Sequence, residues 1–150
     1  MVKLFSLGQA PNPKTIHDLR TPSLVVAKSI AEDNASRMHA RCAKHGVILR
    51  PHVKTHKTVE GALLQTNNRR GKIVCSTLAE ARFFGNEGFD DILYAVPVTS
   101  DKIRECEELN KGLSLFHVMV DNVDQFRALE QHNANVKDPK KWSVVLMVDR

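Results

Sequence analysis

The stretch Gly46-Val47-Ile48-Leu49-Arg50-Pro51-His52-Val53-Lys54-Thr55-His56-Lys57-Thr58 decides how the rest of this chain is read. An apolar run opens it, and a helical-looking run, Val59-Glu60-Gly61-Ala62-Leu63-Leu64-Gln65, follows it. A strand over 47–54 places Ile48, Arg50, His52 and Lys54 on one face and Leu49, Pro51, Val53 and Thr55 on the other. An ordinary core strand does not carry an Arg, a His and a Lys in a row on one face. A lysine at the C-terminal tip of such a strand is a candidate imine-forming amine. Neighbouring positive charge and partial desolvation both disfavour its ammonium form and free the lone pair for a carbonyl. On spacing alone, the same Lys/His-rich end equally describes a solvated loop mouth. Pro51 withholds a ladder hydrogen bond, so the strand must be irregular on that side.

Outward from this segment the chain alternates. The pattern predicts a short strand at 24–26 and a helix over 28–45, with Ala27, Ala31, Ala35, Met38 and Cys42 as its buried stripe. Helix 58–67, strand 72–76, helix 78–87, strand 91–96, helix 100–111, strand 115–120, helix 122–132 and strand 143–149 follow. Thr77 with Glu80 spells a capping box, and Ser100 and Asp121 are candidate N-caps. The runs Lys72-Ile73-Val74-Cys75 and Ile92-Leu93-Tyr94-Ala95-Val96 suit parallel strands covered by helices. Strict alternation indicates an α/β fold with a parallel sheet. No glycine-rich phosphate loop follows any strand, which disfavours an open dinucleotide-binding sheet.

Composition narrows the function classes. At 150 residues the chain holds at most one domain, and 42% hydrophobic residues supply a core. The net charge of +5 is scattered and aromatics are sparse, so nucleic-acid binding has little support. No apolar run approaches membrane-spanning length and no signal-peptide pattern opens the chain, so no membrane partner is expected. Cys42, Cys75 and Cys106 are odd in number and far apart, which argues for a reducing compartment, the cytoplasm. His39, Cys42 and His45 stand three apart like zinc ligands, but such steps drift round a helix and Cys42 belongs to the buried stripe.

Residues 50–58, with the run from Glu60 to Gln65 behind them, resemble the cofactor-lysine segment of eukaryotic-type D-serine dehydratases. These are pyridoxal-phosphate enzymes of the alanine-racemase-like barrel class, with D-threonine aldolases as near relatives. Thr21-Pro22-Ser23-Leu24-Val25-Val26, Ser76-Thr77-Leu78-Ala79-Glu80-Ala81-Arg82-Phe83-Phe84 and Gly88-Phe89-Asp90-Asp91-Ile92-Leu93-Tyr94-Ala95 resemble further stretches of that family. The resemblance covers roughly residues 20 to 149. It implies the N-terminal five strands of a (β/α)8 barrel, 47–54, 72–76, 91–96, 115–120 and 143–149, in the N-terminal part of a longer protein. Residues 1–27 are then a lead-in and a strand lent to a separate β-domain, and residues 28–150 a partial barrel.

The resemblance also assigns chemistry. Lys54 matches the lysine that holds pyridoxal phosphate through an imine and removes the substrate α-proton. His52, on the same face, is expected to contact the cofactor or hold Lys54 in place, and Lys57 to be a first-turn surface residue. Active residues of such barrels sit at the C-terminal strand ends, which adds Ser76, Thr77, Tyr94, Asp121 and Asp149 to the candidate mouth. Capping explains Thr77 and Asp121 as well, and packing explains Tyr94. Arg50 lies deeper, where it can balance negative charge inside the barrel. The family's zinc is held by a His and a Cys near the C-terminus that have no counterpart here, so no metal ligand is assigned. Its phosphate-binding loops come from later strands. The implied reaction takes a small D-amino acid, D-serine, to pyruvate and ammonia in a cytoplasmic protein that is a homodimer at full length. The alternatives are a D-threonine aldolase-like lyase and a non-catalytic pyridoxal-phosphate-binding barrel or inactive fragment.

Overall fold

The structure, a computed structural model, describes residues 15–148. Helix α1 (Lys28–Lys44) leads through an extended segment, 47–53, into α2 (Val59–Gln65). Regular alternation follows: β1 (Ile73–Cys75), α3 (Leu78–Asn86), β2 (Asp91–Pro97), α4 (Ile103–Gly112), β3 (Leu115–Val120), α5 (Val123–Ala134) and β4 (Ser143–Leu146). The four strands are parallel in the order β1-β2-β3-β4, so each helix crosses from one strand to its neighbour. This is the consecutive winding of a β/α barrel, and one arc of it is present.

Polar side chains set several helix starts. Thr58 accepts from the Gly61 amide at 3.2 Å, Thr77 from Glu80 at 3.1 Å, and Asn122 from Gln125 at 3.0 Å. The cap of α5 is therefore Asn122 rather than Asp121, because the Asn122 side chain reaches the amide of the helix's third residue, Gln125. Ser100 opens a single 3-10 turn, and α4 starts at Ile103 without a side-chain cap.

Strand alternation divides the sheet's faces unequally. Ile73, Cys75, Ile92, Tyr94, Phe116, Val118 and Val120 are buried against Leu78, Ala81, Phe84, Ile103, Cys106 and Leu129 of the helices. Phe84 and Phe89 meet edge-on, with ring centroids 5.4 Å apart. On the other face Val74, Leu93, Ala95, Met119 and Val145 are only half-buried. A closed barrel would cover that face from strands beyond this arc.

Two expected strands do not form. Segment 47–54 makes one isolated bridge, His52 to Val74, instead of a ladder. Val74 donates to Pro51 O at 2.8 Å and Val53 donates to Val74 O at 3.0 Å, after which the chain turns away. Residues 24–26 are exposed and form no strand with any described residue. The stripe of α1 is right in direction but shallow. Cys42 is buried, Ala31 and Ala35 are half-buried, and Met38 is exposed, since only α2 and the coil before it pack there. No helix among the described residues is long and apolar enough to cross a membrane.

Candidate active site

Three local devices position Lys54 at the C-terminal end of the sheet. Val53, just before it, is fully buried and anchors the segment in the core. The bridge at His52 sets its register on β1. A tight turn then reverses the chain: the Lys57 amide donates to Val53 O at 2.9 Å, and Lys57 takes a left-handed φ of +52°. Such a backbone is uncommon for a side chain other than Gly or Asn, and strain of this kind concentrates at functional sites.

The His56 ring fixes the far side of the turn. Its Nδ1 accepts from the Thr58 amide at 3.1 Å, and its Nε2–H donates to Gln65 Oε1 at 2.9 Å, one helix length away. Gly61 makes room for that ring: a Cβ there would lie 2.5 Å from His56 Nδ1.

Lys54 itself is exposed, and its ammonium makes no hydrogen bond or ion pair with any described residue. His52 is half-buried beside it, and its Nδ1 accepts from the Lys54 amide at 3.3 Å. Burial first, and then the Lys54 charge, hold the imidazole below its ordinary range, although Glu80 and the Val74 carbonyl pull the other way. The ring is therefore a neutral acceptor at neutral pH.

Across the turn, at the end of β1, stands an acid that the sequence reading placed only in a capping box. The Glu80 side chain is 7% exposed, with its Oε2 2.8 Å from the Ser76 amide. The Ser76 hydroxyl reaches Oε1 at 3.1 Å and Oε2 at 3.0 Å, and Lys57 Nζ stands 3.1 Å from Oε1. Burial opposes the charge, but the Ser76 amide, the Lys57 ammonium and the Ser76 hydroxyl outweigh it and hold the carboxyl below its ordinary range. Lys57 is thus engaged with a buried acid, not a bare surface residue. The signal was present: Glu80 stands four residues before Phe84 and next to Ala81, on the apolar face of α3. Nearby Cys75 is no nucleophile, since burial pushes its thiol up to about 12.

At the opposite, N-terminal end of the strands, a second polar group crosses the sheet. Arg50 Nη1 is 2.6 Å from Asp91 Oδ1 and also donates to the carbonyls of Asp91 at 3.3 Å and Ile73 at 3.4 Å. His117 Nε2 is 3.1 Å from the same Asp91 oxygen, and His117 Nδ1 is 2.7 Å from Ser143 Oγ. One chain of side chains therefore links segment 47–53, β2, β3 and β4. Burial works against the Asp91 charge, but the Arg50 guanidinium and then His117 hold its carboxyl below the ordinary range. Arg50 does balance negative charge inside the barrel, and its partner is Asp91.

The other mouth candidates separate. Ser76 and Thr77 stay there, as donor to Glu80 and cap of α3. Tyr94 turns to the helix layer, where it is buried and its hydroxyl accepts from Lys102 at 3.4 Å, because its position in β2 alternates with the lumen-facing ones. Asp121 is exposed and accepts from the Asn122 side chain, and Asp149 lies outside the described residues. His39 binds Gln65 O at 2.9 Å, which ties α1 to α2, while Cys42 is buried.

Comparison with known proteins bears on the fold. No family model matches the chain. It is 38% identical to the D-serine dehydratase of Dictyostelium discoideum over 92% of this chain and 36% of that protein. The D-serine dehydratase of Schizosaccharomyces pombe is also 38% identical, over 91% of this chain and 34% of its own. Among solved structures, D-threo-3-hydroxyaspartate dehydratase from Delftia sp. HT23 superposes with a TM-score of 0.79 and 32% identity, over 85% of this chain and 33% of that one. D-threonine aldolase from Filomicrobium marinum gives 0.75 and 25%, over 89% and 36%. The fold is thus an arc of an alanine racemase-like barrel. Over the part it spans, the chain is similar to the D-serine dehydratases. It spans about a third of the length of the curated relatives it matches.

Proposed function

We propose that Lys54 is the cofactor lysine of a pyridoxal-phosphate-dependent lyase acting on D-serine, with His52 as its positioning neighbour. The observation that carries this reading is an unpartnered primary amine at the C-terminal end of the sheet, beside a neutral imidazole. That donor set fits the aldehyde end of pyridoxal phosphate: an amine free to condense and a ring that does not repel it as a second cation. When bound, the cofactor supplies an electron sink for charge developing at the substrate α-carbon. Lys54, once displaced by the substrate amine, is the group at hand to take the α-proton. His52 holds the Lys54 backbone through its Nδ1 and so fixes the root of the moving side chain. Loss of the β-hydroxyl as water and hydrolysis of the resulting enamine give pyruvate and ammonia, with no net redox change.

The resemblance further implies zinc. Among the described residues no three His, Cys, Asp or Glu side chains converge, so none of its chemistry is assigned to this chain. The phosphate end of the cofactor is likewise left to residues beyond those described. Residues 24–26, exposed, support a lead-in to a separate β-domain over 1–27. Three buried, unpaired cysteines support a cytoplasmic setting, and the full-length protein is proposed as a homodimer.

Borohydride reduction in the presence of pyridoxal phosphate, followed by peptide mapping, tests the assignment. A stoichiometric pyridoxyl group on Lys54 is expected. Label scattered evenly over the lysines sinks it. For the full-length form, pyruvate from D-serine marks the dehydratase. Glycine and acetaldehyde from D-threonine mark the aldolase that the solved neighbours also include, and binding without either product marks a carrier.

A further inference from the structure

We propose that Glu80 selects Lys54 over Lys57 as the reactive amine, a role that deepens the lysine assignment above and rests on it. The two lysines stand three residues apart on one turn, and both reach the mouth. Both are primary amines of the same intrinsic chemistry, so nothing in the side chains themselves distinguishes them.

Their surroundings do. Lys57 Nζ lies 3.1 Å from the Oε1 of a carboxylate that is almost wholly buried. The same carboxylate is fixed from behind by the Ser76 amide and hydroxyl, so it cannot swing to follow a departing partner. Condensation with an aldehyde needs the unprotonated amine: the ammonium first gives its proton to solvent, its lone pair then bonds the carbonyl carbon, and the carbonyl oxygen leaves as water. At Lys57 that change leaves Glu80 buried without its counter-charge, which is costly. At Lys54 it breaks no hydrogen bond or ion pair with any described residue. The left-handed backbone at Lys57, closed by the Val53 carbonyl, carries a side chain that ends on Glu80. Glu80 is thus a positioning residue that decides which amine is available, through a pair on the neighbouring lysine.

The test is the distribution of pyridoxyl label between the two lysines in the full chain after borohydride reduction. Glu80→Gln keeps the shape and an acceptor for Ser76 but removes the charge. The ratio of Lys57 to Lys54 label is expected to rise about two- to fivefold, the range of a partly exposed ion pair. An unchanged ratio in Glu80→Gln overturns the inference. Absence of Lys54 label in the unaltered chain instead overturns the assignment of Lys54. A second measurement needs no variant: under trace acetic anhydride, Lys57 of the native chain is expected to acetylate more slowly than Lys54, with the difference vanishing in concentrated urea. Equal native rates overturn the inference whether or not Glu80→Gln folds.

Discussion

Arg50 and Lys54 lie four residues apart on the same segment, and they live in opposite worlds. Arg50, at the floor of the sheet, spends its guanidinium on the Asp91 carboxylate and two backbone carbonyls. Lys54, at the mouth, makes no hydrogen bond or ion pair through its side chain with any described residue. The floor network holds the segment where a regular ladder does not, because Pro51 and the early turn leave only one bridge. The mouth is left free to react. In a β/α barrel this division runs along the strand axis, stability at one end and chemistry at the other.

Removing the floor's cation is the strongest way to break the contrast. Arg50→Ala leaves Asp91 buried with only His117 and is expected to cost about 2–3 kcal/mol, less than for a wholly buried pair because Arg50 is a quarter exposed. Urea denaturation of the variant measures it, and a loss below about 0.5 kcal/mol, the level of an ordinary surface change, contradicts the network's role.

Gly61→Ala attacks the mouth's scaffold instead. The new Cβ meets the His56 ring, so the expected loss is about 1–2 kcal/mol, the scale of local overpacking. Retained stability with an unmoved His56 signal in NMR would show that the ring is not wedged there.

Acid sharpens the comparison further. The folded Asp91 carboxyl sits below the value it regains on unfolding, so the unfolded state binds more protons as pH falls through that window. The stability it contributes is complete above the ordinary carboxylate range and disappears as pH drops through the depressed folded value. Asp91→Asn is expected to flatten this part of the urea-midpoint profile against pH, and a profile parallel to that of the unaltered chain would remove Asp91 from the account. The smallest stability effect belongs to the proposed cofactor lysine. Lys54→Ala is expected to change stability by no more than about 0.5 kcal/mol while abolishing the pyridoxyl label. A large thermal shift would mean that Lys54 has a structural partner.

The alternation of strands and helices was legible because burial on one face imposes a period of two on strands and 3.6 on helices, and 72–146 shows both without interruption. Spacing alone left Lys54 as a strand tip or a solvated loop mouth, and the resemblance of residues 50–58 singled it out. The strand over 47–54 was over-read: its period is present, but a ladder also needs a neighbour and amides to share, and Pro51 and the turn at Lys57 withhold them. Glu80 was read as a local cap since its deeper partners, Lys57 and Ser76, come from two separate segments. Sequence by itself determined the order of most elements, the cap at Thr77, and which residue types reach each end of the sheet, because these follow from neighbours along the chain. Only the tertiary structure decided that Arg50 meets Asp91 and His117 across two strands while Glu80 takes Lys57 and leaves Lys54 unpaired. Those pairings depend on strand register and on the fold of a turn, and neither is encoded in the spacing of any one segment.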